Sequence, residues 1–313
     1  MNERWCNTHL SARCPFHDGG TRFSCHLASS RYRKCVELPR QPLNVCSVIG
    51  GRTLLVVGDS LGQQLYDTLR CHACGPDCVP PAVPVVTQNK SEGWSPVALR
   101  KSCTTFSTCR ICILRAFEVH SHYAMDVNYS VVLSDISEAF VDPVVVFNEG
   151  LWLAANGNHN AAEVLRKAVA RAHNLAGAWA QYRSSRTKRD ICVLWRETSP
   201  QDFATPTGAY DASSRGWLRT WYNKAPCKSH ANQTLSPWEP VHDVLSQGSI
   251  PVVRVWNASR RYYDQHLEMN TVYMQRKHAS DCTHYCTPGP VDLWVELVLN
   301  AILIHCTRPR QGL

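Results

Sequence analysis

The sequence predicts an α/β protein with a mainly parallel sheet covered by helices on both faces. Two observations carry that expectation. From residue 52 onward, short apolar runs alternate with segments of helical periodicity, the pattern of βαβ units. The first run, Thr53-Leu54-Leu55-Val56-Val57, is apolar at nearly every position rather than at every second one, as a strand buried on both faces requires. A length of 313 residues with 44% hydrophobic content is enough for one large α/β core or two small ones, and excludes wholesale disorder.

The elements follow in order. Residues 1–50 hold five cysteines and no long periodic segment, so they are expected to form a cysteine-rich N-terminal region ordered by disulfides and packed on the main domain, residues 51–313. After the strand at 53–57 comes a helix over 61–70. Further strands are expected at 111–119, 129–133, 144–147, 191–195 and 251–256. A helix over 160–181 places Ala161, Leu165, Ala168, Ala172, Leu175 and Trp179 on one face, with Lys167, Arg171 and Asn174 pointing elsewhere. The apolar stretch 291–304 is too short to span a bilayer and carries Asp292, Glu296 and Asn300 as one polar stripe. Segments 76–96 and 198–240, rich in Pro, Ser, Gly and Trp, read as long functional loops.

Sixteen cysteines in a chain of this size point to an oxidising compartment, and sequons at Asn89, Asn128, Asn232 and Asn257 agree with a glycoprotein. Zinc is the competing use, because Cys71/Cys74 and Cys109/Cys112 both have ligand spacing. The second pair sits inside a strand-like run rather than a knuckle, so disulfides are preferred and no metal is expected. The net charge of +8 suits anionic partners but is too diffuse to indicate nucleic acid. The first six residues have no apolar signal region. The chain is therefore expected to work in the secretory pathway, with its signal or anchor segment missing from this sequence.

Val56-Val57-Gly58-Asp59-Ser60-Leu61-Gly62 is the sharpest motif. A buried strand ends at Gly58 and a helix starts after Ser60, which puts a hydroxyl at the carboxyl edge of a parallel sheet, where open α/β folds bind ligands. The helix start also offers free amides to an oxyanion. The plainer reading is a helix-capping serine. A serine nucleophile needs a base and a residue that orients the base. Asp281-Cys282-Thr283-His284 supplies both, on one side of a helical turn or held by a loop, and Cys282 and Cys286 flank the histidine. A surface Asp–His pair in a disulfide loop is the plainer reading there, and Asp264-Gln265-His266 competes for the same part.

Together these motifs resemble the esterase/acyltransferase superfamily with a Gly-Asp-Ser nucleophile block and an Asp-x-x-His block near the C-terminus (GDSL/SGNH-type). Within it, the chain is similar to the trichome-birefringence-like polysaccharide O-acetyltransferases of the PC-esterase group. Asp281-Cys-Thr-His284-Tyr-Cys-Thr-Pro-Gly-Pro-Val-Asp292-Leu-Trp294 resembles their Asp-Cys-Ser-His-Trp-Cys-Leu-Pro-Gly…Asp-x-Trp-Asn-Glu block. Phe147-Asn148-Glu149-Gly150-Leu-Trp152 and Arg196-Glu-Thr-Ser199-Pro200-Gln-Asp-Phe203 resemble two more blocks. Cys14-Pro15-Phe16, Tyr32-Arg-Lys-Cys35 and Leu38-Pro39-Arg40 are similar to the family's cysteine-rich N-terminal region.

The resemblance implies an SGNH-hydrolase-like fold, Ser60 as nucleophile, His284 as base and Asp281 as its orienting residue. Oxyanion donors would come from Ser60, Gly62 and Asn148. Arg196, Asp264 and His266 would take substrate-side or structural parts. No bound cofactor is implied; the acetyl donor, acetyl-CoA or another acetyl ester, would be a co-substrate. The acceptor would be a cell-wall or secreted polysaccharide met in the Golgi lumen, with Trp94, Trp217, Trp221 and Trp238 as candidate sugar platforms. An acetylesterase using the same residues and a non-catalytic glycan-binding protein are the alternatives. Departures from the family pattern are Gly62-Gln63-Gln64 in place of Arg-Asn-Gln, Asp202 in place of a histidine, and Glu149 inside the Asn-x-Gly block.

Overall fold

The computed structural model describes residues 17–18, 21–24, 43–74, 101–115, 127–150, 161–185, 190–202, 227, 235–263, 266–269, 279–285 and 289–306. Along these the chain forms β1 (His17–Asp18), β2 (Thr21–Ser24), α1 (Val45–Ile49), β3 (Thr53–Gly58), α2 (Ser60–Cys74), β4 (Lys101–Thr105) and β5 (Arg110–Arg115). There follow α3 (Tyr129–Ala139), β6 (Val144–Asn148), α4 (Ala161–Ser184), β7 (Cys192–Arg196), α5 (Glu239–Gln247), β8 (Val252–Val253) and α6 (Trp256–Ser259). The chain then runs through β9 (His266–Met269), β10 (Ala279–Tyr285) and α7 (Pro290–His305).

Six strands make the main sheet in the order β4-β5-β3-β6-β7-β8. All neighbours are parallel except the edge pair β4/β5. The expected fold class is the observed one. Period-2 alternation explains why the strands are apolar throughout. Leu54, Val56, Ile111, Ile113, Val144, Val146 and Leu194 face a core shared with α1, α2 and α7. Leu55, Val57, Leu114, Val145, Phe147, Val193 and Trp195 face the opposite core, under α3, α4 and α5. A second sheet, β1-β2-β9-β10, is antiparallel and brings residues from both ends of the chain together.

Three sequence expectations are corrected. Residues 129–133 begin a helix, not a strand: Asn128 caps it by accepting from the Val131 amide, and Tyr129, Val132, Leu133 and Ile136 are buried on one face. Residues 251–256 yield only the short β8 before the chain turns into α6. Arg171 does not point away from the core; it is buried and pairs with Glu149. The loop 76–96 and most of 203–234 lie outside the described residues, as do Trp94, Trp217 and Trp221.

Among the described residues, disulfides join Cys46 to Cys109, Cys103 to Cys112, Cys192 to Cys306 and Cys227 to Cys282. Cys71 and Cys74 are disulfide-bonded as well, so both cysteine pairs with zinc spacing spend their sulfurs on S–S bonds. Within the polar stripe of α7, Asp292 and Glu296 are buried and Asn300 is exposed. Asp292 accepts from the Gly289 amide, caps the helix and meets His72 Nε2 at 2.8 Å, locking α7 to the end of α2.

Burial pulls His72 down, but the hydrogen bond and charge of Asp292, with Glu296 nearby, outweigh it and hold His72 above its ordinary value of 6.5. A raised folded-state value means the contact stabilises fully below 6.5 and fades as pH rises through the folded value. Urea unfolding at a series of pH values should therefore show His72→Gln least stable relative to wild type at acidic pH, the gap closing as pH rises. A gap that does not change with pH would show that His72 stays neutral.

Candidate active site

Ser60 sits at the carboxyl end of β3, the strand from which the chain order departs in both directions, to β5 on one side and to β6 on the other. Such a switch point leaves a crevice above the sheet. Gly58 is needed there: a Cβ on it would lie 3.0 Å from the Asn148 carbonyl oxygen and 3.3 Å from Gly62 Cα. Asp59, fully buried, caps α2. Its Oδ1 accepts from the Leu61 amide at 2.9 Å and the Gly62 amide at 3.4 Å. Burial raises the Asp59 carboxyl above its ordinary range, and the charge of Arg196 and these amides work against the rise.

Ser60 Oγ lies 2.7 Å from His284 Nε2, a contact between residues 224 apart in sequence. His284 comes from a bulge in β10. In the β9/β10 register Asp281 is opposite Leu267 and Tyr285 opposite His266, so the register shifts across Cys282, Thr283 and His284. This corrects the expected helical turn or loop. A bulge re-aims side chains at the edge of a sheet, and here it turns His284 toward α2.

Each bulge residue is fastened separately. Cys282 is tied by its disulfide to Cys227, and its carbonyl accepts from the Asp202 amide at 2.9 Å. Gln201 Nε2 donates to Thr283 Oγ1 at 3.0 Å. The His284 carbonyl accepts from His266 Nδ1 at 2.9 Å. Tyr285 is held twice by one side chain: Gln64 Oε1 accepts from its amide at 3.2 Å, and Gln64 Nε2 donates to its carbonyl at 2.7 Å. Gln64 lies one helical turn after Ser60, so one face of α2 holds both the hydroxyl and the peptide beside the base.

The other candidates fall as follows. Asp281 occupies β10 at the lip of the bulge, and its side chain lies outside the described atoms, as do Asp264 and Cys286 altogether. Asn148 ends β6 beside Gly58 and is fully buried, donating from Nδ2 to the Arg196 carbonyl at 3.3 Å. The Gly62 amide, expected to face an oxyanion, is turned to the Asp59 cap. Glu149 bonds Tyr129 and pairs with Arg171, so it serves the sheet's underside. Gly150, with φ +148°, follows because a side chain there would collide with Thr198 and approach Trp238 to 3.2 Å.

Neither Arg196 nor His266 is open to a substrate. Arg196 is 0% exposed, and His266 is buried between Asp202 and the Tyr285 ring. The Arg196 guanidinium lies 4.4 Å above the Trp294 ring and makes no hydrogen bond among the described residues; burial pushes its pKa down to about 10, against the charges of Asp59 and Glu197. Trp238 packs against the core next to α5. Sequence reasoning passed over Gln64 and Tyr285. The spacing of four between Ser60 and Gln64 was the available signal.

A hydroxyl at a helix start, hydrogen-bonded to a histidine at a switch-point crevice, is the arrangement that attacks acyl carbonyls. Fold and site together define an SGNH-type α/β protein of acyl chemistry. The chain belongs to the PC-esterase family, described as the GDSL/SGNH-like acyl-esterase family found in Pmr5 and Cas1p, whose model matches residues 39–301. That membership supports acyl transfer or hydrolysis. No curated protein sequence matches the chain.

The Gln64 clamp gives a stability prediction. Gln64→Glu puts a carboxylate oxygen against the Tyr285 carbonyl and leaves that buried acceptor without its donor. Denaturant unfolding should show a loss of about 1–3 kcal/mol; an unchanged midpoint would mean that the clamp holds nothing.

Proposed function

We propose that the protein is a serine-dependent O-acetyltransferase that moves an acetyl group through an acyl-serine onto hydroxyls of a secreted or cell-wall polysaccharide. The observation that carries this reading is the 2.7 Å contact between Ser60 Oγ and His284 Nε2. Ser60 attacks the acetyl carbonyl while His284 Nε2 takes its proton and then delivers it to the leaving oxygen of an ester donor or the leaving sulfur of a thioester donor. Asp281 orients the imidazole from its place three residues earlier in β10. The Ser60 amide, at the start of α2 and ahead of the amides that Asp59 caps, is the proposed oxyanion donor, while Asn148 could join it only by releasing the Arg196 carbonyl. In the second half, His284 deprotonates the acceptor hydroxyl, which attacks the acyl-serine, and the same proton passes from Nε2 to Ser60 Oγ as the ester bond breaks.

The glycan acceptor is supported by the similarity of the Phe147–Trp152, Arg196–Phe203 and Asp281–Trp294 blocks to polysaccharide O-acetyltransferases. The donor is an acetyl ester or thioester such as acetyl-CoA, used as a co-substrate. The disulfides among the described residues support an oxidising compartment such as the Golgi lumen. Water in place of the sugar hydroxyl makes the same site an acetylesterase, the reading that the family description favours.

Purified protein incubated with an acetyl donor and a panel of glycans, followed by mass spectrometry, separates the outcomes. Acetyl on Ser60 and on a glycan is the expected result, whereas acetate released at the same rate without acceptor indicates the esterase. Ser60→Ala should lower turnover on the order of 10³-fold or more without changing the fold. Turnover retained in that variant would overturn the assignment.

A further inference from the structure

The His266–Asp202 pair lies behind the base and has no part in the chemistry above. Both side chains are buried, with side-chain exposure of 2% and 1%. His266 Nε2 is 2.8 Å from Asp202 Oδ2, and Nδ1 is 2.9 Å from the His284 carbonyl oxygen. The ring stacks on Tyr285, centroid to centroid 4.2 Å. A main-chain carbonyl only accepts, so Nδ1 must carry hydrogen for that bond to exist. Opposite Nε2 stands a carboxylate, which also accepts when ionised. A neutral imidazole has one N–H and cannot serve both. The two bonds coexist only if the pair keeps one additional proton, either on the ring as imidazolium or on Asp202 as the acid.

We infer that His266, anchored by Asp202, is a positioning residue for the base His284, and that it holds His284 through the one additional proton the pair carries. The inference rests on the reading of His284 as the base. With the proton present, the His284 carbonyl is gripped by Nδ1–H and the bulge is fixed over Ser60. When the proton leaves, Nε2–H remains with the Asp202 carboxylate and bare Nδ1 faces the carbonyl, so lone pair meets lone pair and the grip is lost. His284 itself must be unprotonated to act as the base.

Among the described residues, the titratable groups around this ring are Asp202, the phenol of Tyr285, His284 and, beyond Tyr285, Arg196. Burial, with the charge of Asp202 next, keeps the Tyr285 phenol well above its ordinary value, so it stays neutral throughout. The Arg196 guanidinium faces Trp294, which meets Tyr285 edge-on, and burial pushes its pKa down to about 10.

Two substitutions separate positioning from bulk. Asp202→Ala removes the anchor. Asp202→Asn restores a partner of the same shape whose amide donates to Nε2, so a neutral His266 with hydrogen on Nδ1 satisfies every bond and no extra proton is needed. On an acetyl ester substrate, Asp202→Ala should lower kcat about tenfold or more with KM little changed, and Asp202→Asn should recover most of that loss. Equal damage from both substitutions would overturn the inference.

Nitrogen NMR of the ring in the full chain decides the proton count without any substrate, with the His266 signal assigned from its loss in His266→Phe. Nδ1 should be protonated in wild type near neutral pH and in Asp202→Asn. A bare Nδ1 with hydrogen on Nε2 in wild type would overturn it. If no acyl turnover is found, the functional reading fails while this measurement still settles the pair.

Discussion

The contact between Ser60 and His284 joins a helix start to a strand bulge, and neither could find the other through local structure. Parallel β3 delivers Ser60 to the edge of the main sheet, while His284 arrives from the small antiparallel sheet built with β9. Gln64 is the fastening between them. Its amide uses donor and acceptor together on the Tyr285 peptide, one turn down the helix that Ser60 begins. A side chain with one polar function at that position would hold only half of the peptide. The loop carrying Pro200, Gln201 and Asp202 closes from the other side, meeting the Tyr285 hydroxyl, Thr283 and the Cys282 carbonyl.

Below this fastening lies a layer of buried charge. Asp59 and Arg196 are both sealed from solvent, and each shifts the other toward its ionised form against the cost of burial. Their arrangement separates the tasks of the Gly-Asp-Ser block. Asp59 spends Oδ1 on the helix cap and fixes the turn, which leaves Ser60 to the crevice. Arg196 rests on Trp294, whose indole donates to Ser259 and stacks edge-on to Tyr285. The guanidinium thus links the end of β7 to α7 and to the residue after the base. Positive charge so enclosed steadies the site's carboxylate without meeting a ligand.

Much of this was legible in the sequence. Uninterrupted apolar runs mark β3, β6 and β7, and the change to helical spacing after Ser60 marks the turn that carries it. The run at 129–133 misled because a short apolar stretch fits strand and helix alike; the recurrence at Tyr129, Val132, Leu133 and Ile136, after a capping Asn128, was the deciding signal. Arg171 was read as exposed from its helical phase, since its partner Glu149 lies on another element. Asp202 and His266 illustrate the same limit. Their pairing depends on how β9 and β10 are bulged against the loop after β7, and no spacing within one segment encodes that. The bulge itself was invisible, because Asp-x-x-His suits a turn, a loop or an irregular strand equally well.

The most direct measurement is covalent labelling of the native chain with an organophosphonate that reports activated serines, followed by peptide mapping. One adduct at Ser60, strongly reduced in His284→Ala, is the outcome required by a hydroxyl activated across the α2–β10 junction. Adducts on another residue, or labelling of Ser60 that does not depend on His284, would contradict it.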